Sequence, residues 1–135
     1  MSKVMENQYQ LERGKPMPSE VHGYIQGRLI ARLYAYEEHY NILSELSLEL
    51  NNWGSVPDIA LYPKRIEVTT PPLCAIEILS PSQSLQELVN KASSYFQHGV
   101  KSCWLVIPSL ENIYVFSNPE SYSIFRSNQT LSDPA

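Results

Sequence analysis

The residues best equipped for chemistry lie in "VPDIALYPKRIEVTTPPLCAIEILSPSQS", Val56 to Ser84, where two carboxylates stand in segments that otherwise read as sheet interior. Asp58 follows a proline and opens the apolar run "IALY", and Glu77 sits inside "LCAIEIL". An ionised carboxylate buried without a partner is costly, so acids in such places are paired, hydrogen-bonded or metal-bound. Two acids on neighbouring strands repel unless a cation lies between them or one keeps its proton. A hard divalent ion such as Mg²⁺ suits them, because it takes carboxylate oxygens, backbone carbonyls and water. Lys91, in "LQELVNKASSYF", is the third group. On a helix it falls about 40° from Tyr95 and about 60° from Leu88, at the rim of the apolar face, where its stem can lie on apolar surface while the ammonium reaches a sheet. A lysine beside a carboxylate-bound metal can orient an attacking water or steady charge developing on a phosphate. Plainer readings use the same residues. Asp58 can open its strand at the surface, Glu77 can pair with Lys91 or an arginine of the first helix, and Lys91 can pair with Glu87 at i,i+4 for roughly 0.2–0.5 kcal/mol.

The elements that must position these groups follow from periodicity. Residues 1–17 are polar without a repeat and read as a flexible arm, and Ser19, after Pro16 and Pro18, is a helix N-cap. Val21, Ile25, Leu29 and Leu33, continued by Tyr36 and Tyr40, form an apolar stripe at helical spacing. Ile42–Leu50, "ILSELSLEL", alternates like one half-buried strand, and "NNWGS" reads as a turn. Strands follow at Asp58–Tyr62 and Leu73–Leu79. Ser84 with Glu87 forms a capping box for a helix faced by Leu85, Leu88, Val89, Ala92, Tyr95 and Phe96, and Gly99 ends it. "VKSCWLVIP" is apolar enough for a central strand covered on both sides, and "NIYVFS" with "SYSIFRS" makes a hairpin around "NPES". The order is helix, three strands, helix, three strands, which predicts an α/β domain with a mixed β-sheet flanked by α-helices and a helical crossover between parallel neighbours.

Composition narrows the classes. A chain of 135 residues fits one domain, and 43% hydrophobic with 18% charged residues is globular composition. The formal net charge of −4 gives no overall field toward nucleic acid or anionic membrane, so DNA binding must rest on a local site. The longest apolar runs, about six residues, are far below the twenty or so that span a bilayer. Cys74 and Cys103 lie in apolar runs without C-x-x-C spacing and read as inert core thiols in a reducing cytoplasm.

"PDIALYP…PLCAIEILSPSQSLQELVNKASSYFQHGVKSCWLVIP" resembles the PD-(D/E)XK nucleases of restriction-endonuclease-like fold, and among them the Uma-type restriction endonuclease family. The resemblance runs from about Pro16 to the last hairpin and is densest from Pro57 to Pro108. It implies a Mg²⁺- or Mn²⁺-dependent endonuclease that hydrolyses DNA phosphodiesters with a metal-activated water. Asp58 and Glu77 correspond to the acids of the motif, and the backbone carbonyl of Ile78 would be a further metal ligand. The motif's usual lysine, two residues after the second acid, is replaced by Leu79, and Lys91 on the following helix takes its role. Glu20 and His22 fall where related nucleases carry an extra acidic or polar residue near the metal, and the resemblance also implies a homodimer. Two departures stand out: the loop from Tyr62 to Leu73 is short, and the chain stops at "LSDPA" where relatives continue. The expected organisation is an arm, 1–17, and one C-terminally shortened domain, 18–135, with an edge left for another subunit.

Weaker candidates have ordinary explanations. Glu45 alternates with Leu46 and Leu48 and fits a solvent face, Ser80 and Gln83 fit a turn, and His22 near a helix start is more commonly a packing residue. Lys64, Arg65, Lys101, Arg28 and Arg32 could supply a modest positive surface for DNA. The competing function is a catalytically weak or inactive relative serving as a DNA-binding or protein-interaction module, which the acidic charge favours. A third is a structural domain in which Glu77 and Lys91 form a buried ion pair and nothing more.

Overall fold

The computed structural model describes residues 20–64 and 70–135, so the expected arm over 1–17, the Ser19 cap and Arg65 lie outside the described residues. Helix α1 spans Glu20–Leu33 and passes through a 3-10 turn, Tyr34–Tyr36. Strands β1 (Tyr40–Ser44), β2 (Leu48–Leu50), β3 (Trp53–Ser55), β4 (Ile59–Pro63) and β5 (Cys74–Ile78) come next. Helix α2 spans Leu85–Gln97 and leads to β6 (Ser102–Ile107), a short 3-10 turn, β7 (Asn112–Asn118) and β8 (Ser121–Arg126).

Local chemistry sets these boundaries. The Ser84 hydroxyl accepts the Glu87 N–H at 3.1 Å, which satisfies one of the free donors of the first turn of α2. At the other end Gly99 takes φ +96°, and a Cβ there would meet Pro71 Cγ at 3.1 Å, so conformation and space both ask for glycine. Between them Leu88, Ala92 and Tyr95 are buried.

Six strands form the main sheet, in the order β1-β4-β5-β6-β7-β8. Only β5 and β6 run parallel, joined through α2; the other pairs are antiparallel. This is the mixed sheet flanked by helices that the sequence predicts. All six residues of β6 are buried, as expected of a central strand. Alternation along the strands sorts two cores. Ala75, Cys103, Leu105 and Phe116 face α2, together with Leu48, Leu50 and Trp53 of the separate β2–β3 hairpin. Cys74, Ile76, Ile78, Trp104 and Val106 face α1 through Ile25, Leu29 and Leu33. On this second face Asp133 accepts hydrogen bonds from Ser102 Oγ and from Trp104 Nε1, the latter at 2.7 Å.

Three local expectations are corrected. "ILSELSLEL" is not one strand. Glu45 leaves β1 with φ 55°, and Asn51 and Asn52, at φ 47° and 67°, turn β2 back onto β3. Asn is among the few residues that enter the left-handed region readily, so the pair makes a tight hairpin turn and "WGS" becomes strand. The apolar stripe of α1 is also rotated. Val21 and Tyr36 are exposed, the helix stops at Leu33, and Tyr40 opens β1, whereas His22 and Gln26 are buried. Finally, Asp58 lies in a bend just ahead of β4 and not in the strand itself. No helix among the described residues is long and apolar enough to cross a membrane.

Candidate active site

The centre of interest is a notch where β4 and β5 part. Their ladder pairs Leu61 with Cys74 and Ile59 with Ile76, and continuing that register would set Asp58 opposite Glu77 and Pro57 opposite Ile78. The continuation does not form. Along a strand, N–H and C=O groups point alternately to the two neighbours. Leu79 N–H donates to Val106 O of β6, so the Ile78 N–H points the other way, toward β4. There it donates to a side chain, Asp58 Oδ2, at 2.7 Å. The carbonyl of Ile78 shares that direction, and Pro57 has no N–H to offer it.

Asp58 is held from several sides. Besides the Ile78 amide, which is the peptide that follows Glu77, its Oδ2 lies 3.1 Å from His22 Nε2. Its main-chain carbonyl accepts from Gln26 Nε2 at 3.0 Å and from the Glu45 N–H at 3.2 Å. Gln26 also donates to Ser44 Oγ at 3.0 Å. Asp58 and His22 are 1% and 2% exposed, so these bonds form out of water, where a lost partner is expensive.

Glu77 is held from the opposite helix. It lies on the face of β5 shared with Ala75, and Leu105 is its neighbour on β6. Lys91 Nζ donates to Glu77 Oε2 at 3.2 Å, and the Tyr95 hydroxyl donates to Oε1 at 3.1 Å. Lys91 thus engages Glu77 and not Glu87, the i,i+4 partner on its own helix. Its side chain is 20% exposed while that of Glu77 is 2%, so the ammonium stands between the buried acid and solvent. Burial, and then the Glu77 charge, hold the Tyr95 phenol well above its ordinary range, so it remains a donor.

The structure sets Asp58 with His22 and the Ile78 amide on the α1 side, and Glu77 with Lys91 and Tyr95 on the α2 side; the bond from the Ile78 N–H to Asp58 is what joins the two groups. Glu20 instead stands exposed at the start of α1, on the lip of a groove of about 910 Å³ that runs between α1 and the β7–β8 hairpin. Glu45 contributes its backbone, and Ser80 and Gln83 bond each other in a turn. Lys64 bonds the Glu37 carbonyl at 2.8 Å, and Arg28 lies against Tyr24 on an exposed face of α1. Cys74 and Cys103 are free and buried, and burial raises both thiols well above their ordinary range. Sequence reasoning missed Gln26 and Tyr95 as site residues. The available signal was spacing: each lies four residues beyond another polar site residue, His22 and Lys91 respectively, on one face of its helix.

The family model described as "Uma2: Putative restriction endonuclease" matches residues 8–135, and the chain belongs to that family. A crystal structure of a "putative nuclease belonging to DUF820" from Anabaena variabilis superimposes with a TM-score of 0.74 at 22% identity, covering 89% of this chain and 75% of that one. A cryo-electron-microscopy structure of a DrdV–DNA complex aligns with a TM-score of 0.54 at 10% identity over 90% of this chain, which spans 11% of that chain. At these identities the likeness establishes the fold. No curated protein matches the chain.

Proposed function

We propose that this Uma2-family protein is a metal-dependent endonuclease that hydrolyses phosphodiester bonds of DNA, with Asp58, Glu77 and the Ile78 carbonyl as metal ligands and Lys91 as the catalytic cation. One observation carries the reading: Asp58 bonds the peptide that follows Glu77, at a notch in the sheet, while Lys91 reaches Glu77 from the neighbouring helix. The family description, the nuclease named in one structural neighbour and the DNA named in the other support the same substrate class.

The residues fit a hard cation. No group of three or more His, Cys, Asp and Glu side chains suited to a metal occurs among the described residues. Two carboxylates and a main-chain carbonyl are instead an all-oxygen set, of the kind Mg²⁺ and Mn²⁺ accept while keeping several waters. Bound there, the ion would polarise a phosphoryl oxygen and make its water more acidic. The protein's own part is placement. His22, Gln26 and Glu45 fix both ends of Asp58. Lys91, partly exposed beside Glu77, would meet a phosphate oxygen and offset the negative charge that grows on it. Glu20, exposed away from the acids, has no role in this proposal, and His22 acts on Asp58 and not on substrate. Cutting both strands calls for two such centres, so the acting unit is proposed to be a homodimer, in a cytoplasm that keeps both thiols reduced.

The competing reading, a weakly active or inactive DNA-binding or protein-interaction module, draws on one feature: both acids are almost wholly buried and both oxygens of Glu77 are already occupied by α2. Incubating supercoiled plasmid with the protein and Mg²⁺ or Mn²⁺, beside Asp58→Ala and Glu77→Ala controls, decides between them. Nicking or linearisation by wild type alone is the expected result. Retention of DNA in a mobility-shift assay with no cleavage would favour the module.

A further inference from the structure

Tyr95 is fully buried, and its hydroxyl makes two hydrogen bonds: 3.1 Å to Glu77 Oε1 and 2.9 Å to Ser55 Oγ. A phenol has one proton, and an ionised carboxylate can only accept. The proton on Tyr95 therefore goes to Glu77, and Ser55 donates to Tyr95, which gives a chain with one direction, Ser55 to Tyr95 to Glu77. Its origin is β3 of the small hairpin. Trp53, on the same strand, packs edge-on against the Tyr95 ring at 5.2 Å and 82°, and stacks on His98 just past the end of α2 at 4.7 Å and 19°. The hairpin thus sets both the ring and its hydroxyl.

We propose that Tyr95 is a positioning residue for the metal site, and that the β2–β3 hairpin acts on that site through it. Lys91 holds one oxygen of Glu77 and Tyr95 the other, so the plane of the carboxylate is fixed before a cation arrives. A cation that meets Glu77 then finds it in one orientation, without a search over side-chain rotamers. The proposal rests on the reading of Glu77 as a metal ligand. A tyrosine that merely fills the core would contribute packing and one satisfied hydroxyl, with no effect on cation affinity.

The test uses the full chain and Mn²⁺ alone, with free Mn²⁺ counted by electron paramagnetic resonance and DNA cleavage followed against Mn²⁺ concentration. Tyr95→Phe keeps the ring against Trp53 and deletes only the hydroxyl. It should weaken Mn²⁺ binding by about tenfold or more, and the Mn²⁺ concentration that gives half-maximal cleavage should rise by the same factor. Ser55→Ala should give a smaller shift in the same direction. The double variant should bind no more weakly than Tyr95→Phe, because Ser55 acts only through the phenol. Unchanged Mn²⁺ affinity in Tyr95→Phe would leave it a core residue, and additive shifts in the double variant would break the chain from Ser55. If Tyr95→Phe fails to fold, Ser55→Ala carries the test, and unchanged affinity there overturns the proposal. A wild-type protein that binds no Mn²⁺ removes the metal site and this inference together, which separates that failure from the others.

Discussion

Helices α1 and α2 address the same notch from opposite faces of the sheet, each with two polar side chains four residues apart, and they do different things there. From α1, His22 meets the Asp58 carboxylate and Gln26 its main-chain carbonyl, both buried. From α2, Lys91 and Tyr95 take only the two carboxylate oxygens of Glu77, and Lys91 keeps a fifth of its side chain in solvent. One helix holds an acid by both its carboxylate and its backbone; the other holds an acid by its carboxylate alone and leaves a cation partly in solvent. Both acids are fixed, and the two halves differ in exposure: on the α1 side His22 and Gln26 are buried, whereas on the α2 side Lys91 reaches solvent.

Substitutions on the two sides should behave unequally. The largest effect is expected from the acids themselves. Asp58→Asn and Glu77→Gln keep volume but remove charge, and each should reduce plasmid cleavage by about a thousandfold. Full activity in either would dissolve the comparison at its root. Lys91→Met, which keeps the stem, should slow cleavage at saturating metal by about a hundredfold while Mn²⁺ still binds. On the α1 side, Gln26→Leu should act mainly on stability, by about 1–2 kcal/mol in urea unfolding, since it removes a donor from the Asp58 carbonyl. A Gln26→Leu protein as slow as Lys91→Met and as stable as wild type would reverse the assigned roles.

The smallest effect concerns one thiol on each face. Cys74 belongs to the core under α1 and Cys103 to the core under α2, and burial raises both above the ordinary thiol value. A raised folded pKa means that the unfolded chain loses its proton first. Stability is therefore full below about pH 8.5 and falls as pH rises beyond it, at about 1.4 kcal/mol per pH unit for each thiol. Denaturation curves from pH 7 to 10 should show this slope, and Cys74→Ala or Cys103→Ala should each remove about half of it. Equal reductions would show that the two faces exclude water alike, so that their difference lies in polar chemistry and not in packing.

How much of this could be read beforehand differs between the same two halves. Helix α2 is legible: a serine cap, an apolar face, a lysine on its rim and a glycine that no other residue replaces easily. Helix α1 is not, because half of its buried face is polar. It packs on a notch that needs His22 and Gln26, and a search for apolar periodicity settles one position off, on Val21. The β2–β3 hairpin is hidden by the unbroken alternation of "ILSELSLEL", which gives no sign that Glu45 turns the chain and that Asn51 and Asn52 reverse it. Asp58 and Glu77 are conspicuous as acids in apolar runs, but their relation depends on β4 and β5 parting after Ile59 and Ile76, which no local pattern encodes. The bond from Ser55 to Tyr95 spans forty positions and joins two residues that look unremarkable separately.

The parting itself has a simple guardian. A sheet gains by zipping, and two more rungs between β4 and β5 would bury nothing new while satisfying one amide and one carbonyl. Pro57 forbids the second of those bonds, because its ring nitrogen carries no hydrogen. The gap is thus kept open by a vetoed rung, and in its place the Ile78 amide meets the Asp58 carboxylate, so that the seam holds an acid where a continued ladder would hold only backbone.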